Sequence, residues 1–93
     1  MNINNGGLMF YTYVLKSKKD NKLYIGSTND LKRRFNQHNS GEVKSTKHRT
    51  PFKIIYYEAY SAEKDARHRE HNLKLRSKAL AQLLKRISNS IKI

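Results

Sequence analysis

The sequence predicts a small α+β domain whose elements follow the order strand, strand, helix, strand, helix, helix. Three observations predict it. Two runs rich in aromatic and β-branched residues, Met9–Lys16 and Leu23–Ser27, are linked by a short polar stretch centred on Lys18-Lys19-Asp20-Asn21-Lys22. So short a link implies antiparallel strands, because a parallel return needs a long crossover. Phe52–Tyr60 is a third run, with the continuous apolar centre of a strand buried on both faces. Between and after these runs, apolar residues recur at helical spacing. At 93 residues the chain is one domain, not two.

Taken in order, Met1–Leu8 is polar and glycine-bearing and is expected to be a flexible N-terminus, with residues 9–93 forming the domain. In the first strand, alternation puts Tyr11 and Tyr13 on one face. Residues 18–22 are turn-forming. Asn29 is the expected N-cap of the next element, with Asp30 well placed against the helix dipole. Leu31, Phe35 and His38 fall at helical spacing, giving a short amphipathic helix over 30–39. Asn39-Ser40-Gly41 ends it, with Gly41 available for a left-handed cap. Glu42–Pro51 is a polar, basic loop. Phe52–Tyr60 is expected at the centre of the sheet. Ser61 is the expected cap of a long helix that carries Glu63 in its first turn and sets Ala62, Ala66, Arg69, Leu73 and Arg76 on one face. Ser77 opens a C-terminal amphipathic helix over 77–93, striped by Leu80, Leu83, Leu84, Ile87 and Ile91.

Composition narrows the function. The chain has no cysteine, which excludes disulfides, cysteine nucleophiles and thiolate zinc sites and fits a cytoplasmic location. Lys and Arg number 20 against 7 Asp and Glu, a formal charge of +13. That excess suits a polyanion, either nucleic acid or an anionic membrane surface. No apolar run approaches the ~20 residues of a membrane span. The N-terminus lacks the charged and apolar regions of a signal peptide. Nucleic acid is therefore the expected partner, and no membrane is. Charge alone favours binding without catalysis.

Three sets of residues could add chemistry. Arg34 and His38 lie four apart and project from one helix face. Arginine is a bidentate phosphate ligand, and histidine can donate to a phosphate or move a proton. The plainer reading is a solvated basic face, since Lys32, Arg33 and Arg34 are adjacent. Tyr11, Tyr13 and Tyr24 lie on the paired strands, where packing is the usual role. A catalytic tyrosine must have its pKa of about 10 lowered or pass its proton on during attack. Glu70 is an acid within the basic run Arg67-His68-Arg69-Glu70-His71-Asn72-Leu73-Lys74. It is either an i,i+4 partner of Lys74 or the single carboxylate of a Mg²⁺ site, which magnesium tolerates because it keeps several waters. His68 and His71 lack further ligands for zinc.

Together these residues resemble the GIY-YIG nuclease superfamily, especially its small stand-alone members related to the nuclease domain of bacterial excision-repair UvrC. The first motif is present in variant form as Thr12-Tyr13-Val14, and the second is intact as Tyr24-Ile25-Gly26, at the separation the family expects. Ser27-Thr28-Asn29-Asp30-Leu31, then Arg34, His38 and Asn39-Ser40-Gly41, also follow the family pattern, and Glu70 matches its acidic helix residue. The resemblance covers Phe10 to about Arg76.

It implies a small three-stranded, mainly antiparallel sheet flanked by helices, and a metal-dependent DNA endonuclease that hydrolyses phosphodiester bonds. In that picture Glu70 holds Mg²⁺ (or Mn²⁺) and Arg34 stabilises charge on the phosphoryl oxygens. Tyr13 or Tyr24 orients or deprotonates the attacking water, and His38 assists by hydrogen bonding or proton transfer. Lys47 and Arg49, in the basic loop, grip flanking phosphates. The expected substrate is branched or damaged DNA in repair or recombination, with a partner protein for targeting, since no appended DNA-binding domain is seen. The alternative is a nucleic-acid-binding protein that keeps the fold with little or no cleavage. A lone carboxylate amid positive charge speaks for catalysis, because an acid there opposes phosphate binding unless a cation intervenes.

Overall fold

A computed structural model describes residues 8–75 and 78–93 of the chain. The expected flexible residues 1–7, Arg76 on its helix face and the Ser77 cap lie outside the described residues. Strands β1 (Phe10–Ser17), β2 (Leu23–Thr28) and β3 (Phe52–Tyr60) form one antiparallel sheet in the order β2-β1-β3. The hairpin turn needs a left-handed residue, which Asn21 supplies at φ 60°. Ser17 Oγ accepts from the Lys19 and Asp20 amides, both at 3.1 Å, and fixes the turn from below.

The central strand is β1, not Phe52–Tyr60. Thr12, Tyr13, Val14 and Leu15 are each 1% exposed or less, whereas most of β3 is half-buried or open. The apolar centre of β3 has another cause. The register with β1 shifts between Val14 and Leu15, so that Tyr56 pairs with Val14 and Ile54 with Leu15. Such a bulge leaves an extra residue, here Ile55, in one strand. Ile55 and Tyr56 then pack into the same cluster, and Ile54 into the other. Consecutive apolar residues serve a bulged edge strand here.

Each face of the sheet carries its own core. On one side Tyr13, Leu15 and Phe52 pack with Tyr24, Ile54 and with Leu31 and Phe35 of helix α1 (Leu31–Asn39). On the other, Val14 and Ile25 pack with Leu73 of α2 (Glu63–Lys74), Leu83 of α3 (Lys78–Arg86) and Ile87. A last short helix, α4 (Ser88–Lys92), adds Ile91 to that cluster. The expected single helix over 77–93 is thus two. It breaks at Ile87, before Ser88, Asn89 and Ser90, residue types that are poor helix formers.

The caps also differ by one residue. Asp30, not Asn29, caps α1, with its carboxylate accepting from the Arg33 amide at 3.1 Å; Asn29 accepts from the Arg33 guanidinium instead. Ala62, not Ser61, occupies the cap position of α2, with no side-chain cap bond, and Glu63 and Asp65 in the first turn face the dipole. Gly41 takes the left-handed conformation after α1 at φ 79°, as its position suggests. Among the described residues no helix is long and apolar enough to cross a membrane.

Candidate active site

The site begins with a pairing. Tyr13 of β1 and Gly26 of β2 are direct cross-strand partners. The Tyr13 ring crosses Gly26, where a Cβ would stand 2.5 Å from Oη and 2.6 Å from Cζ. Only a residue without a side chain admits the phenol there. The hydroxyl then meets Nε2 of His38, which α1 carries over the sheet, at 2.9 Å. Both residues are buried, His38 completely. The other ring nitrogen, Nδ1, is 2.8 Å from Oγ1 of Thr46. Tyr24 closes the group, its ring edge-to-face with His38 at 4.9 Å and tilted against Tyr13 at 6.4 Å.

Arg34 stands one turn before His38 on the same side of α1. It is half-buried, and its Nη1 donates to Gln37 Oε1 at 3.2 Å. Its guanidinium faces the Tyr13 phenol and lowers that group's pKa. Glu70 approaches from the opposite face of the sheet. Ser27 follows Gly26 and points the other way, and its hydroxyl donates to Glu70 Oε1 at 2.6 Å. Lys74, one turn on, donates to Oε2 at 2.6 Å. Glu70 thus lies at the β2 strand behind Gly26, close enough for its charge to act on Tyr13. Tyr13, Tyr24, Arg34 and His38 meet directly or face one another, and Glu70 acts on Tyr13 by its charge alone.

Burial dominates the protonation states. It pushes the Tyr13 phenol up to about 12; Arg34 opposes this, while Tyr24 and Glu70 add to it. Burial, with Arg34 adding to it, pushes His38 down to about 4. At neutral pH the pair is a neutral phenol bonded to a neutral imidazole, able to pass a proton without first separating charge.

Lys47 and Arg49 sit in a single 3-10 turn, Lys47–Arg49, after the α1 loop. Lys47 is exposed. Arg49 is engaged: Nε donates to Asp20 Oδ2 at 2.7 Å, Nη2 to Asp20 Oδ1 at 3.3 Å, and the guanidinium lies 5.5 Å from the Phe52 ring centre. The Arg49 hydrogen bonds are the main cause holding the Asp20 carboxyl well below the usual carboxylate range. Arg49 therefore fastens the β1–β2 turn to the loop.

Several residues at the site have roles that the motifs do not reveal. Ser27 orients Glu70, and Thr46 contacts His38. Thr46 is buried with Val43 inside a loop that reads as polar and exposed; the Val-x-x-Thr spacing is the only trace of an inward-facing turn. Glu58 is a third case. It accepts from Tyr56 at 2.7 Å, from Arg69 at 2.9 Å and from Tyr60. Burial pushes its carboxyl up, but these three partners outweigh burial and leave it below its ordinary value. Arg69 adjoins Glu70, so this network pins α2 to β3 at the level of the site.

Among the described residues no three His, Cys, Asp or Glu side chains gather as a metal-binding group. Glu70 still fits a hard divalent ion that needs one protein carboxylate. It is half-buried, one oxygen is held by a neutral hydroxyl, and the other meets an ammonium whose side chain is 49% exposed and able to turn away.

Residues 9–85 match the family model described as the GIY-YIG catalytic domain. The chain is 42% identical over 67 residues to a UPF0213 protein of Clostridium perfringens, covering 71% of each. It is 39% identical over 75 residues to a UPF0213 protein of Natronomonas pharaonis, covering 80% of this chain and 87% of that one. The solution NMR structure of a UPF0213 protein from Bacillus halodurans is similar with a TM-score of 0.53 at 31% identity, over 86% of this chain and 85% of that chain.

Proposed function

Because the chain belongs to the GIY-YIG family, with UPF0213 proteins as its relatives, we propose that it is a divalent-metal-dependent DNA endonuclease. The observation that carries this reading is the buried Tyr13–His38 hydrogen bond, flanked by Arg34, with Glu70 held by Ser27 on the neighbouring strand.

In this reading Tyr13, rather than Tyr24, is the group that meets the attacking water. As Tyr13 Oη takes a proton from water, its own proton passes to His38 Nε2, so no free phenolate is required. This suits a phenol whose pKa burial has raised. His38 has the hydrogen bond for this step, while Tyr24 meets His38 through its ring. Arg34 neutralises charge that grows on the phosphoryl oxygens. Glu70, oriented by Ser27, would hold Mg²⁺ or Mn²⁺, which when bound supplies Lewis-acid stabilisation of the phosphate and leaving oxygen. Lys47 would contact flanking phosphates, and Arg49 would do so only by leaving Asp20. The +13 charge supports DNA as the partner. Branched or damaged DNA in cytoplasmic repair or recombination, reached with a targeting protein, completes the reading.

A second reading, nucleic-acid binding with little cleavage, is favoured by the Glu70–Lys74 contact, which occupies the carboxylate with an internal cation. One panel separates the two: linear, nicked, flapped and four-way DNA, plus RNA, each with Mg²⁺ or with chelator. Cutting of DNA that chelator abolishes supports the endonuclease. Binding without metal-dependent cutting of any substrate replaces it with the second reading.

A further inference from the structure

We propose that Thr46 is a positioning residue that fixes the tautomer of His38, keeping Nδ1 protonated so that the Nε2 lone pair faces the Tyr13 hydroxyl. The proposal deepens the reading above and rests on it for its catalytic consequence. Its structural part stands independently.

A neutral imidazole carries one proton and has two inequivalent nitrogens, and the partner of one decides the state of the other. Here both nitrogens are engaged: Nδ1 with Thr46 Oγ1 at 2.8 Å and Nε2 with Tyr13 Oη at 2.9 Å. Each partner is a hydroxyl, able to donate or accept. The next neighbours favour one arrangement. Thr46 Oγ1 also lies 3.4 Å from the carbonyl oxygen of Val43, which can only accept and which also takes the Thr46 and Lys47 amides at 3.0 Å each. The threonine proton directed there leaves a lone pair for Nδ1–H. At the other end, the Arg34 guanidinium beside the phenol can only donate. With that donor facing its oxygen, the phenol sends its own O–H to Nε2. Both ends select the same tautomer.

The backbone holds Thr46 for this task. Its amide donates to Val43 O at 3.0 Å, and its carbonyl accepts from the Arg49 amide at 2.8 Å. The residue is fully buried, and a β-branched side chain has few rotamers to choose from. During attack the balance is simple. One proton leaves water for Tyr13 Oη and the Tyr13 proton moves to Nε2, while the water oxygen bonds to phosphorus and the bond from phosphorus to the leaving oxygen breaks, that oxygen taking a proton from solvent. The resulting imidazolium keeps its Nδ1–H bond to Thr46. With the proton on Nε2 instead, the nitrogen facing Tyr13 has no lone pair and the transfer cannot start.

The test is long-range ¹H–¹⁵N correlation of the histidine rings at neutral pH in the wild-type protein, Thr46→Val and Thr46→Ser. The expected result is a protonated Nδ1 and an unprotonated Nε2 on His38 in wild type and Thr46→Ser, with the Nε2–H form growing in Thr46→Val. Cleavage by Thr46→Val should fall about 10- to 100-fold, the range for losing one hydrogen bond to a charged group, with DNA affinity unchanged and Thr46→Ser near wild type. A protonated Nε2 in the wild-type protein overturns the proposal, as does an unshifted tautomer in Thr46→Val. If Thr46→Val does not fold, the wild-type and Thr46→Ser spectra still decide. A wild-type protein that cuts nothing removes the endonuclease reading and leaves the spectrum to judge Thr46.

Discussion

Replacing Gly26 by alanine tests the geometry on which the site depends. The added methyl would lie 2.5 Å from Tyr13 Oη, 2.6 Å from Cζ and 3.2 Å from Cε1. These atoms belong to one rigid ring that is 1% exposed, so the ring cannot simply swing into solvent. Overpacking of a buried site costs about 1–3 kcal/mol. Displacing the ring also breaks the Tyr13–His38 bond and leaves a buried imidazole nitrogen without its partner, worth about 1–3 kcal/mol more. The two effects overlap, and we expect about 3 kcal/mol of destabilisation. For a chain of this size each kcal/mol shifts Tm by about 4–8 °C, so Gly26→Ala should melt at least about 12 °C below wild type by circular dichroism. Removing the hydroxyl with Tyr13→Phe should not rescue it, because Cζ remains in the way. A Tm for Gly26→Ala within about 3 °C of wild type, well under one kcal/mol on the same scale, would refute the close approach.

Other outcomes follow from the same geometry. His38 has a folded pKa of about 4, below its ordinary value of 6.5, so the unfolded chain takes up the proton first. Its contribution to stability is complete above pH 6.5 and is lost as pH falls toward 4. The loss by pH 4.5 should be about 2–3 kcal/mol. Urea midpoints at pH 7 and pH 4.5 should differ in wild type and converge in His38→Asn; equal pH dependence in both would reassign the effect. Arg34→Ala should cost about 2–4 kcal/mol of transition-state stabilisation in single-turnover cleavage, with little change in Tm because the side chain is half-buried and bonded to Gln37. Near-normal turnover would return Arg34 to a solvated face. DNA affinity should fall by about 10³ between 50 and 200 mM salt if roughly six phosphates are contacted, and a flat response would contradict a phosphate-tracking surface.

The sequence made some of this legible and hid the rest for physical reasons. The hairpin followed from a link too short for a crossover, and α1 from the spacing of Leu31, Phe35 and His38. The central strand did not follow. Thr12, Tyr13 and Ser17 look like residues of a half-exposed strand, yet each is buried because a distant group satisfies its polar atom: Ala66 O at 2.7 Å for Thr12, His38 for Tyr13, and Arg49 O at 2.6 Å for Ser17. Such partners are separated by 25 to 54 positions and leave no local pattern. β3 misled in the opposite direction, since a bulge mimics two-sided burial. Of the candidate site, the tyrosine, arginine, histidine and glutamate positions are the ones a spaced motif names. Their hydrogen-bond partners were not legible. Ser27 and Thr46 matter through orientation, and orientation belongs to the folded chain.

The central claim is that Glu70 serves a metal-dependent nuclease rather than an internal ion pair with Lys74. The direct measurement is Mg²⁺-dependent cleavage by Glu70→Gln beside wild type, on whichever DNA the wild type cuts, with DNA binding and Tm recorded on the same samples. The glutamine keeps the acceptor for Ser27 and removes the charge. We expect cleavage to vanish while binding persists and Tm moves little, since a surface-accessible ion pair contributes about 0–1 kcal/mol. Cleavage at the wild-type rate by Glu70→Gln would contradict the account.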